Sequence, residues 1–461
     1  MKCFFSLIFV FNFFFIVFSQ SNKSEIFSIK QGGLDADSLS LNIHHLWLRQ
    51  AGKLTKNTVG FTAPVSARAY AYLTLAMFES NVFDDSKNES LSNQLNAYTR
   101  TIWLNSLKSS QSIDKVIIAN RTLYRVISYL YRAMPTSNKL EVESIYDSIN
   151  NECISIANYQ SSFNLPMILP LNKLISFSDH LADEIIAYSK LDGADTSFRN
   201  NYPASFDPPK CIECWTKTTP GYLRSLLPYW GKNRQFLKNS HLSSAGCELF
   251  EFSADSTSGL YKDALGVYMN SKSDDKLFET IAEYWDDSPG YSGTPAGHFF
   301  SIAIQLVKDH DLKLKSALEF YILLGLSMNE ANIICWRLKY QYNFIRPISY
   351  IHRYIDPYFN TRINTPPFPE FPSGHSYQAG SAVSVFKYVF GNDIDIIDNT
   401  HSSRSDINGE SRRFKSFDEM GEEASISRYY GGIHFKKTLD ISLFYGKEMG
   451  KYVINQLKFG K

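Results

Sequence analysis

Residues 366–375 read PPFPEFPSGH and lead directly into a segment whose apolar residues recur at helical spacing. The periodic positions are Ala379, Ala382, Val383, Phe386, Val389 and Phe390. This pattern predicts that Ser373, Gly374 and His375 lie at a helix N-terminus, where free backbone N–H groups and the helix dipole favour an anion. Gly374 would let the backbone approach such a ligand closely. The alternative is a capping serine followed by an incidental histidine.

A second segment, KYQYNFIRP at residues 339–347, contributes two cations. An apolar run from about 317 to 343 predicts a long helix, which Pro347 ends. Arg346 follows Lys339 by seven residues, so we expect both cations on one face of this helix, within reach of one ligand. A solvated pair of surface cations is the alternative, but it fits poorly with so apolar a helix.

A third segment, SRYYGGIH at residues 427–434, contributes Arg428 and His434. Gly431 and Gly432 interrupt the run, so both side chains can turn toward one centre despite their non-helical spacing. A single histidine in an apolar stretch is usually a packed core residue. The three segments together supply three fixed positive charges, a helix N-terminus and two imidazoles, and this combination predicts a pocket for a tetrahedral oxyanion.

Helical periodicity extends over most of the chain, and alternating strand patterns are scarce. Apolar residues recur at three- and four-residue spacing in 64–84, 115–133, 139–157, 173–191 and 273–285. Stretches rich in proline and glycine at 203–230 and 287–297 predict long loops between helical groups. The expected fold class is therefore all-α.

The 461 residues include 47 basic and 46 acidic side chains, which gives a net charge of +1. This balance gives no reason to expect nucleic acid or an anionic membrane as a partner. No linker or block of charge divides the sequence, so one large domain or two fused halves is expected. We take these halves as residues 21–230 and residues 231–461, with the oxyanion pocket in the second.

The N-terminus has the pattern of a targeting segment. Lys2 precedes an almost unbroken apolar run from Cys3 to Phe18, which is short for a membrane span and lies where the hydrophobic region of a secretory signal belongs. We expect residues 1–20 to be a signal peptide and the mature protein to be secreted or periplasmic, with no membrane association after cleavage. A lone membrane anchor is the alternative.

Cys211 and Cys214 form the only close cysteine pair in the sequence, in the motif CIEC. In an exported protein this pair can form a small disulfide or half of a zinc site. No second CxxC motif or nearby pair of histidines completes a tetrahedral ligand set, so a structural role is favoured.

Taken in order, Lys-x6-Arg-Pro, PSGH and Ser-Arg-x5-His resemble the signature of the vanadium-dependent haloperoxidases and their relatives, the type 2 phosphatidic acid phosphatases. Three upstream stretches resemble bacterial haloperoxidases as well: PVSARAYAYLTLAMFES at 64–80, LLPYWGKNRQF at 226–236 and SGTPAGHFF at 292–300. The resemblance covers most of the mature chain. It implies an all-α fold of two helical bundles, with vanadate or phosphate held between helices of the C-terminal half.

In a haloperoxidase, the resemblance implies that His434 is the axial ligand of vanadium. The vanadate oxygens would be held by Lys339, Arg346, Ser373, Gly374 and Arg428. His375 would act as acid and base on hydrogen peroxide, and Lys339 would polarise the peroxide for attack by halide, which yields hypohalous acid. Guanidinium groups suit an oxyanion through forked contacts, and a neutral imidazole suits a metal.

Two alternatives to the peroxidase remain open at this point. With phosphate in the pocket, His434 would be the nucleophile of an acid phosphatase and His375 would protonate the leaving oxygen. The third interpretation is a catalytically weak relative that binds an oxyanion.

Two aromatic residues favour the peroxidase. Trp336 and Phe368 match positions that resemble the halide-facing aromatic residues of haloperoxidases. An apolar wall beside the oxyanion would help to desolvate a large polarisable halide, whereas ordinary core packing is the alternative for each ring. The expected halide is iodide or bromide rather than chloride, and a small organic molecule could accept the halogen.

Three further residues are candidates for positions beside the pocket, where they would hold or orient its side chains. Asp287 matches a family aspartate that pairs with the second arginine, here Arg428, although an exposed loop acid is the alternative. His298 is expected to be a packed loop histidine. The family usually has an acid four residues after the axial histidine, but Thr438 stands there, so we expect Thr438 or a backbone carbonyl to orient the His434 ring.

Overall fold

A computed structural model describes residues 36–82, 90–100, 112–162, 170–238, 249 and 251–460. The described helices are α1 (Ala36–Asn57), α2 (Ala63–Glu79), α3 (Ser112–Leu130), α4 (Thr136–Ser162), α5 (Leu171–Lys190), α6 (Gly259–Ser271), α7 (Lys276–Tyr284), α8 (Thr294–Asp309), α9 (Leu314–Tyr342), α10 (Pro347–Tyr354), α11 (Gly374–Phe390), α12 (Phe417–Tyr430) and α13 (Lys436–Gln456). Strands β1 (Ile396–Asp398) and β2 (Arg412–Phe414) pair antiparallel. The all-α prediction is therefore confirmed.

The predicted signal segment, residues 1–20, lies outside the described residues. In the part of the chain that the structure describes, no helix combines the length and the apolar character needed to cross a membrane. The helices predicted by periodicity are all present, with ends displaced by a few residues. The predicted loop at 287–297 is wrong in its second half, because α8 begins at Thr294 with proline at its second position, which favours helix initiation.

Helix α9 ends before Arg346, so the expectation that Lys339 and Arg346 share one helix face is wrong. Asn343 takes a left-handed conformation with φ of 47°, and its N–H donates to the Lys339 carbonyl at 2.8 Å. Asparagine tolerates this conformation, and Pro347 four residues later excludes a continuing helix. Arg346 instead occupies the N-cap of α10.

Cys211 and Cys214 of the CIEC motif are bonded to each other, which fits the predicted structural role and settles that the pair is a disulfide. The bridged loop pairs with the turn between α9 and α10. Trp215 N–H donates to the Asn343 carbonyl at 2.7 Å, and Ile345 N–H donates to the Glu213 carbonyl at 2.8 Å. This loop therefore braces the segment that presents Arg346.

One hydrophobic core runs through the described residues of both predicted halves, from Ile43 on α1 to Leu457 after α13. Helix α2 is buried on every side and packs along α9, which in turn packs on α11. Helices α11 and α13 approach each other closely: a Cβ added to Gly446 would lie 2.3 Å from the Tyr377 carbonyl oxygen. This contact fixes the first turn of α11 against the middle of α13 and so holds the two helices in place relative to each other.

Candidate oxyanion site

Two of the three predicted segments line a cavity of about 320 Å³, and the third lies against it through the contact of Arg346 with His434. Four residues of the predicted set lie on one part of its surface: Gly374, His375, Arg428 and His434. Trp336 and Phe368 form an adjacent wall. Lys339, Arg346 and Ser373 are each 0% exposed and lie next to these lining residues. The structure therefore brings the whole predicted set together, and Asp287 also borders the cavity.

The imidazole of His434 has one defined tautomer. Its Nδ1 lies 2.7 Å from Glu370 Oε1, and its Nε2 lies 3.2 Å from Arg346 Nη1. Because a guanidinium can only donate, Nε2 must carry the lone pair and Nδ1 the proton. Burial, followed by the charges of Arg346 and Lys339, lowers the pKa of His434 well below its usual range. His434 is thus a neutral imidazole whose Nε2 lone pair accepts from Arg346, and a ligand that binds there would take the place of this donor.

Glu370 orients this imidazole, a role that the sequence analysis did not assign. Besides His434 Nδ1, its carboxylate accepts the Phe435 N–H at 3.1 Å and the Thr438 hydroxyl at 2.9 Å. Burial raises the pKa of Glu370 to about 7, against the opposing charges of Arg346 and Lys339. Thr438 therefore contacts the carboxylate and not the histidine, which corrects the expectation that it replaces the missing acid. One feature of the sequence could have pointed to Glu370: it is the single acid in an apolar, proline-rich stretch. Such a stretch is expected to be buried, and a buried acid needs a partner.

The two arginines are held mainly by backbone carbonyls, and each keeps a buried nitrogen without a partner. Arg346 donates to the carbonyls of Phe368 at 2.9 Å and Ile433 at 2.8 Å, and Arg428 donates to the Trp285 carbonyl at 2.8 Å. Among the described residues, Arg346 Nη2 and Arg428 Nε have no hydrogen-bond partner. Buried donors of this kind are rare in native proteins, and here they point to an anionic ligand.

His375 is the second residue of α11 and is the third buried group without a full set of partners. Its Nε2 has no hydrogen-bond partner among the described residues, while the Asp286 backbone forms a hydrogen bond with the ring. Burial, and then the charge of Arg428, lowers the pKa of His375 well below its usual range. A neutral imidazole whose Nε2 is unengaged can exchange a proton with a ligand in the cavity.

Ser373 caps α11, and its hydroxyl oxygen accepts the N–H and the hydroxyl of Ser376 at 3.3 and 3.0 Å. The capping interpretation is therefore correct, yet the Ser373 O–H can still donate to a ligand. Lys339 is more fully occupied, since its ammonium donates to the carbonyls of Pro369 at 3.0 Å, Glu370 at 3.1 Å and Pro372. Burial lowers the pKa of Lys339 to about 7.

The aromatic wall stands directly against the cations. The ring centroids of Trp336 and Phe368 are 5.1 Å apart. Lys339 Nζ lies 4.8 Å and Arg346 Cζ 4.9 Å from the Phe368 centroid, within cation–π distance. The cavity therefore combines an apolar face with a strongly positive one.

The predicted pairing of Asp287 with Arg428 is wrong. The neighbouring Asp286 faces the arginine, with 3.5 Å between its Oδ1 and Arg428 Nη2. Asp287 has a positive φ of 49°, and its carboxylate contacts His298 Nδ1 at 2.9 Å instead. The alternative of an exposed loop acid is wrong too, because Asp287 is 2% exposed. A sequence with two adjacent aspartates gives no signal for which side chain faces which way.

His298 is not the packed loop histidine that was expected. It lies on α8, is 1% exposed, and contacts a second carboxylate through Nε2, at 2.7 Å from Asp398 Oδ2. The Asp287–His298–Asp398 group is thus a separate buried cluster behind the segment that holds Arg428.

Comparisons with known proteins address the fold. Residues 355–459 match the family model of the second helical-bundle domain of vanadium chloroperoxidase (VCPO). The structure is similar to that of the first bacterial vanadium-dependent iodoperoxidase, with 26% sequence identity, a TM-score of 0.74, and coverage of 90% of this chain and 96% of the other. No curated protein matches the chain by sequence.

A bacterial vanadium-dependent chloroperoxidase shares the fold in two crystal structures. Its holo form has 14% identity and a TM-score of 0.61, covering 86% of this chain and 91% of the other. Its apo form has 12% identity and a TM-score of 0.59, covering 86% of this chain and 94% of the other. At these identities the likeness concerns the fold alone.

Proposed function

Because the chain belongs to the vanadium-dependent haloperoxidase family, we propose that it oxidises iodide or bromide, in preference to chloride, with hydrogen peroxide and forms hypohalous acid. The enzyme acts on peroxide, and its cofactor is vanadate. When bound, vanadate supplies a Lewis-acidic centre that activates peroxide without a change of oxidation state. The protein's own residues must hold this anion, exclude water and move protons.

The donor set fits vanadate. Among the described residues, Arg346 Nη2, Arg428 Nε and His375 Nε2 are buried atoms without partners; Arg428 and His375 line the cavity, and Arg346 contacts His434 beside it. Together with the Ser373 hydroxyl and the N-terminal N–H groups of α11, they offer donors to several oxygens of one oxyanion. The His434 Nε2 lone pair is the group that would bind the metal itself. Lys339 would contribute its charge and, after giving up one carbonyl, a donor.

His375 is proposed to move protons between peroxide and the site. Its ring stays neutral because burial and Arg428 disfavour the imidazolium form. Nε2 therefore keeps a lone pair that can accept a proton from peroxide, and the lowered pKa favours the return of that proton, as a general acid and base requires. The hydrogen bond with the Asp286 backbone holds the ring in place during this exchange.

The aromatic wall is the observation that carries the choice of peroxidase over phosphatase. Trp336 and Phe368 present an apolar surface beside the buried cations, so a halide can give up water there while its charge stays compensated. Iodide and bromide are large and weakly hydrated, so they lose less on entering such a site than chloride does. The likeness to a bacterial iodoperoxidase supports the same preference.

The test is halide oxidation by metal-stripped protein, with iodide, bromide and chloride, before and after addition of orthovanadate. Phosphate-ester hydrolysis is measured on the same sample. We expect oxidation that depends on vanadate, is abolished in His434→Ala, and is faster with iodide or bromide than with chloride. Hydrolysis that vanadate inhibits, without halide oxidation, would instead establish the phosphatase with His434 as nucleophile.

We also propose that the mature protein is exported and begins close to residue 21. The disulfide between Cys211 and Cys214 supports this, because disulfides persist mainly in oxidising compartments. N-terminal sequencing of the protein recovered from the medium or periplasm tests the proposal. A retained N-terminus in the membrane fraction would indicate the uncleaved anchor.

A further inference from the structure

A cluster of four ionisable side chains lies beside the oxyanion site and has no part in the proposed reaction; of the four, Asp287 also borders the oxyanion cavity. It consists of Asp287, His298, Asp398 and His401, each at most 2% exposed. His298 Nδ1 is 2.9 Å from Asp287 Oδ2, and His298 Nε2 is 2.7 Å from Asp398 Oδ2. His401 Nε2 faces the other oxygen of Asp287 at 3.5 Å.

The charges of this cluster do not balance with neutral histidines. Two buried carboxylates carry two negative charges, and a neutral imidazole can donate to only one of the two carboxylates that flank His298. Without a further ligand, a second proton must therefore stay on His298. Burial alone would lower the pKa of His298, but Asp287 and Asp398 outweigh it and raise the pKa to about 10. Even then one negative charge within the cluster stays uncompensated.

Two atoms at the centre of the cluster lack partners. Among the described residues, Asp287 Oδ1 and His401 Nε2 have no hydrogen-bond partner, although both are buried and face each other. Two ligand atoms bound tetrahedrally to one zinc ion lie about 3.4 Å apart. The observed 3.5 Å matches this spacing.

We propose that Asp287, His298 and His401 form a binding site for a divalent transition metal ion, for which zinc is the best match. One ligand atom from each of these residues falls within 4.8 Å of the others. Two imidazoles and one carboxylate are a ligand set that zinc favours over the oxygen-seeking magnesium and calcium ions. A divalent ion would also balance both carboxylates with the two histidines neutral.

Asp398 then acts as the outer partner of a ligand. Histidines that bind metals commonly donate their second N–H to a carboxylate, which fixes the tautomer and strengthens the ligand. His298 has this arrangement, with Nε2 toward Asp398 and Nδ1 toward the proposed metal position. Metal binding would displace the Nδ1 proton of His298 to solvent, so about one proton is released per ion bound at neutral pH.

A path for the ion exists. His298 and His401 lie on the wall of a second cavity of about 570 Å³, together with Gly293, Gly297 and Arg404. The ligands come from three places in the chain: the turn after α7, helix α8, and the segment after β1. A bound ion would therefore join these elements directly behind Asp286, which contacts Arg428.

The test uses the full mature chain, treated with chelator and then equilibrated with Zn²⁺ alone. We expect about one zinc per chain after gel filtration, proton release on binding, and visible absorption of a nitrogen and oxygen site when Co²⁺ replaces zinc. His401→Ala removes one ligand but leaves His298 between its carboxylates, and it should weaken zinc binding at least about 100-fold. His310→Ala, at an exposed histidine, is the matched control and should bind as the wild type does.

Asp398→Asn keeps the size of the side chain and should weaken zinc binding about 10- to 100-fold, which provides a second variant if His401→Ala does not fold. Vanadium content, measured on the same samples, separates this site from the oxyanion pocket. The proposal is overturned if folded wild-type protein retains no stoichiometric zinc, or if His401→Ala and Asp398→Asn both retain it with wild-type affinity. In that event a proton on His298 alone holds the cluster.

Discussion

At the scale of single residues, the oxyanion site depends on a carboxylate that stands before the PSGH motif in sequence and beside His434 in space. Glu370 accepts hydrogen bonds from His434, Phe435 and Thr438. We expect Glu370→Gln to weaken vanadate binding about 10- to 100-fold, because the partner that fixes the His434 tautomer is altered. Calorimetric titration of the metal-stripped protein with orthovanadate measures this directly, without reference to turnover.

The matched control is Glu410→Gln, since Glu410 is an exposed glutamate away from the site. It should bind vanadate as the wild type does. Unchanged vanadate affinity in Glu370→Gln would mean that the glutamine side chain, held by the Phe435 N–H and Thr438, still orients the His434 ring.

Phe368 allows a separation of halide binding from cofactor binding. Its ring lies against Lys339, Arg346 and Trp336. The ring has no polar atom, so it contributes only apolar surface to the site. We expect Phe368→Ala to raise the KM for iodide by about 10-fold or more, because water enters the halide position and screens the cations. Vanadate affinity should change much less, since its ligands stay in place.

Steady-state kinetics at saturating peroxide, together with vanadate titration, check the split between the two constants. Phe444→Ala serves as the control, because Phe444 is 58% exposed and lies on α13 away from the cavity. Equal loss of halide and vanadate affinity in Phe368→Ala would show that the ring supports the whole site rather than the halide.

At the scale of elements, the site depends on how closely α11 and α13 approach. A Cβ at Gly446 would lie 2.3 Å from the Tyr377 carbonyl oxygen, so Gly446→Ala must push the helices apart. We expect a loss of about 1–3 kcal/mol in unfolding free energy, typical of overpacking, and weaker vanadate binding, because Ser373 to His375 and His434 begin or precede these helices. Denaturant unfolding and vanadate titration provide the two readings.

Gly52→Ala is the matched control on α1. An added Cβ there would meet only the Tyr70 hydroxyl oxygen at 3.4 Å, an ordinary contact, and alanine favours the helix. Its stability should equal or slightly exceed that of the wild type. If both substitutions were equally harmless, the close approach of α11 and α13 would not limit stability.

Helix α9 carries a buried acid whose protonation should make stability depend on pH. Glu330 accepts the Gln235 side-chain N–H and the Phe236 N–H, each at 2.7 Å, and burial raises its pKa from 4.5 to about 7. Between pH 4.5 and pH 7, therefore, Glu330 is protonated in the folded state and ionised in the unfolded state. The resulting stability is fully present below pH 4.5 and is lost as the pH rises to 7.

Over this window we expect the stability of the wild type relative to Glu330→Gln to fall by up to about 3 kcal/mol. Denaturant unfolding of both proteins at several pH values measures the difference. The exposed Glu410→Gln should run parallel to the wild type. A constant difference between wild type and Glu330→Gln would show that Glu330 stays ionised throughout.

At the scale of the whole molecule, the sequence predicted features that depend on neighbouring residues. It did not predict contacts between side chains from distant segments. Helical period predicted the helices, and the combination of cations and imidazoles in three short segments, 339–347, 372–375 and 427–434, predicted the pocket. The partner of His434 could not be found in this way, because Glu370 reaches it across 64 positions of the chain. The orientation of Asp287 depends on a positive φ, which no local pattern of residues predicted.

The division into residues 21–230 and 231–461 is a proposal that unfolding can test, and the contacts between the described parts favour one cooperative unit. Tyr70 on α2 stacks on Phe300 of α8 with centroids 4.5 Å apart, and His45 on α1 bonds the Tyr321 hydroxyl on α9 at 2.8 Å. Both pairs join the two halves and are buried in a shared core.

We therefore expect a single calorimetric transition. Orthovanadate at 100 times its dissociation constant should raise the transition temperature, because it adds about 2.7 kcal/mol to the free energy of unfolding. In His434→Ala the same single transition should appear without the shift, because the cofactor no longer binds to the folded state. Two transitions, of which vanadate moves only one, would show instead that the halves fold separately. The shared core across α2, α8 and α9 would then contribute too little to couple them, and the boundary near residue 230 would be a true domain boundary.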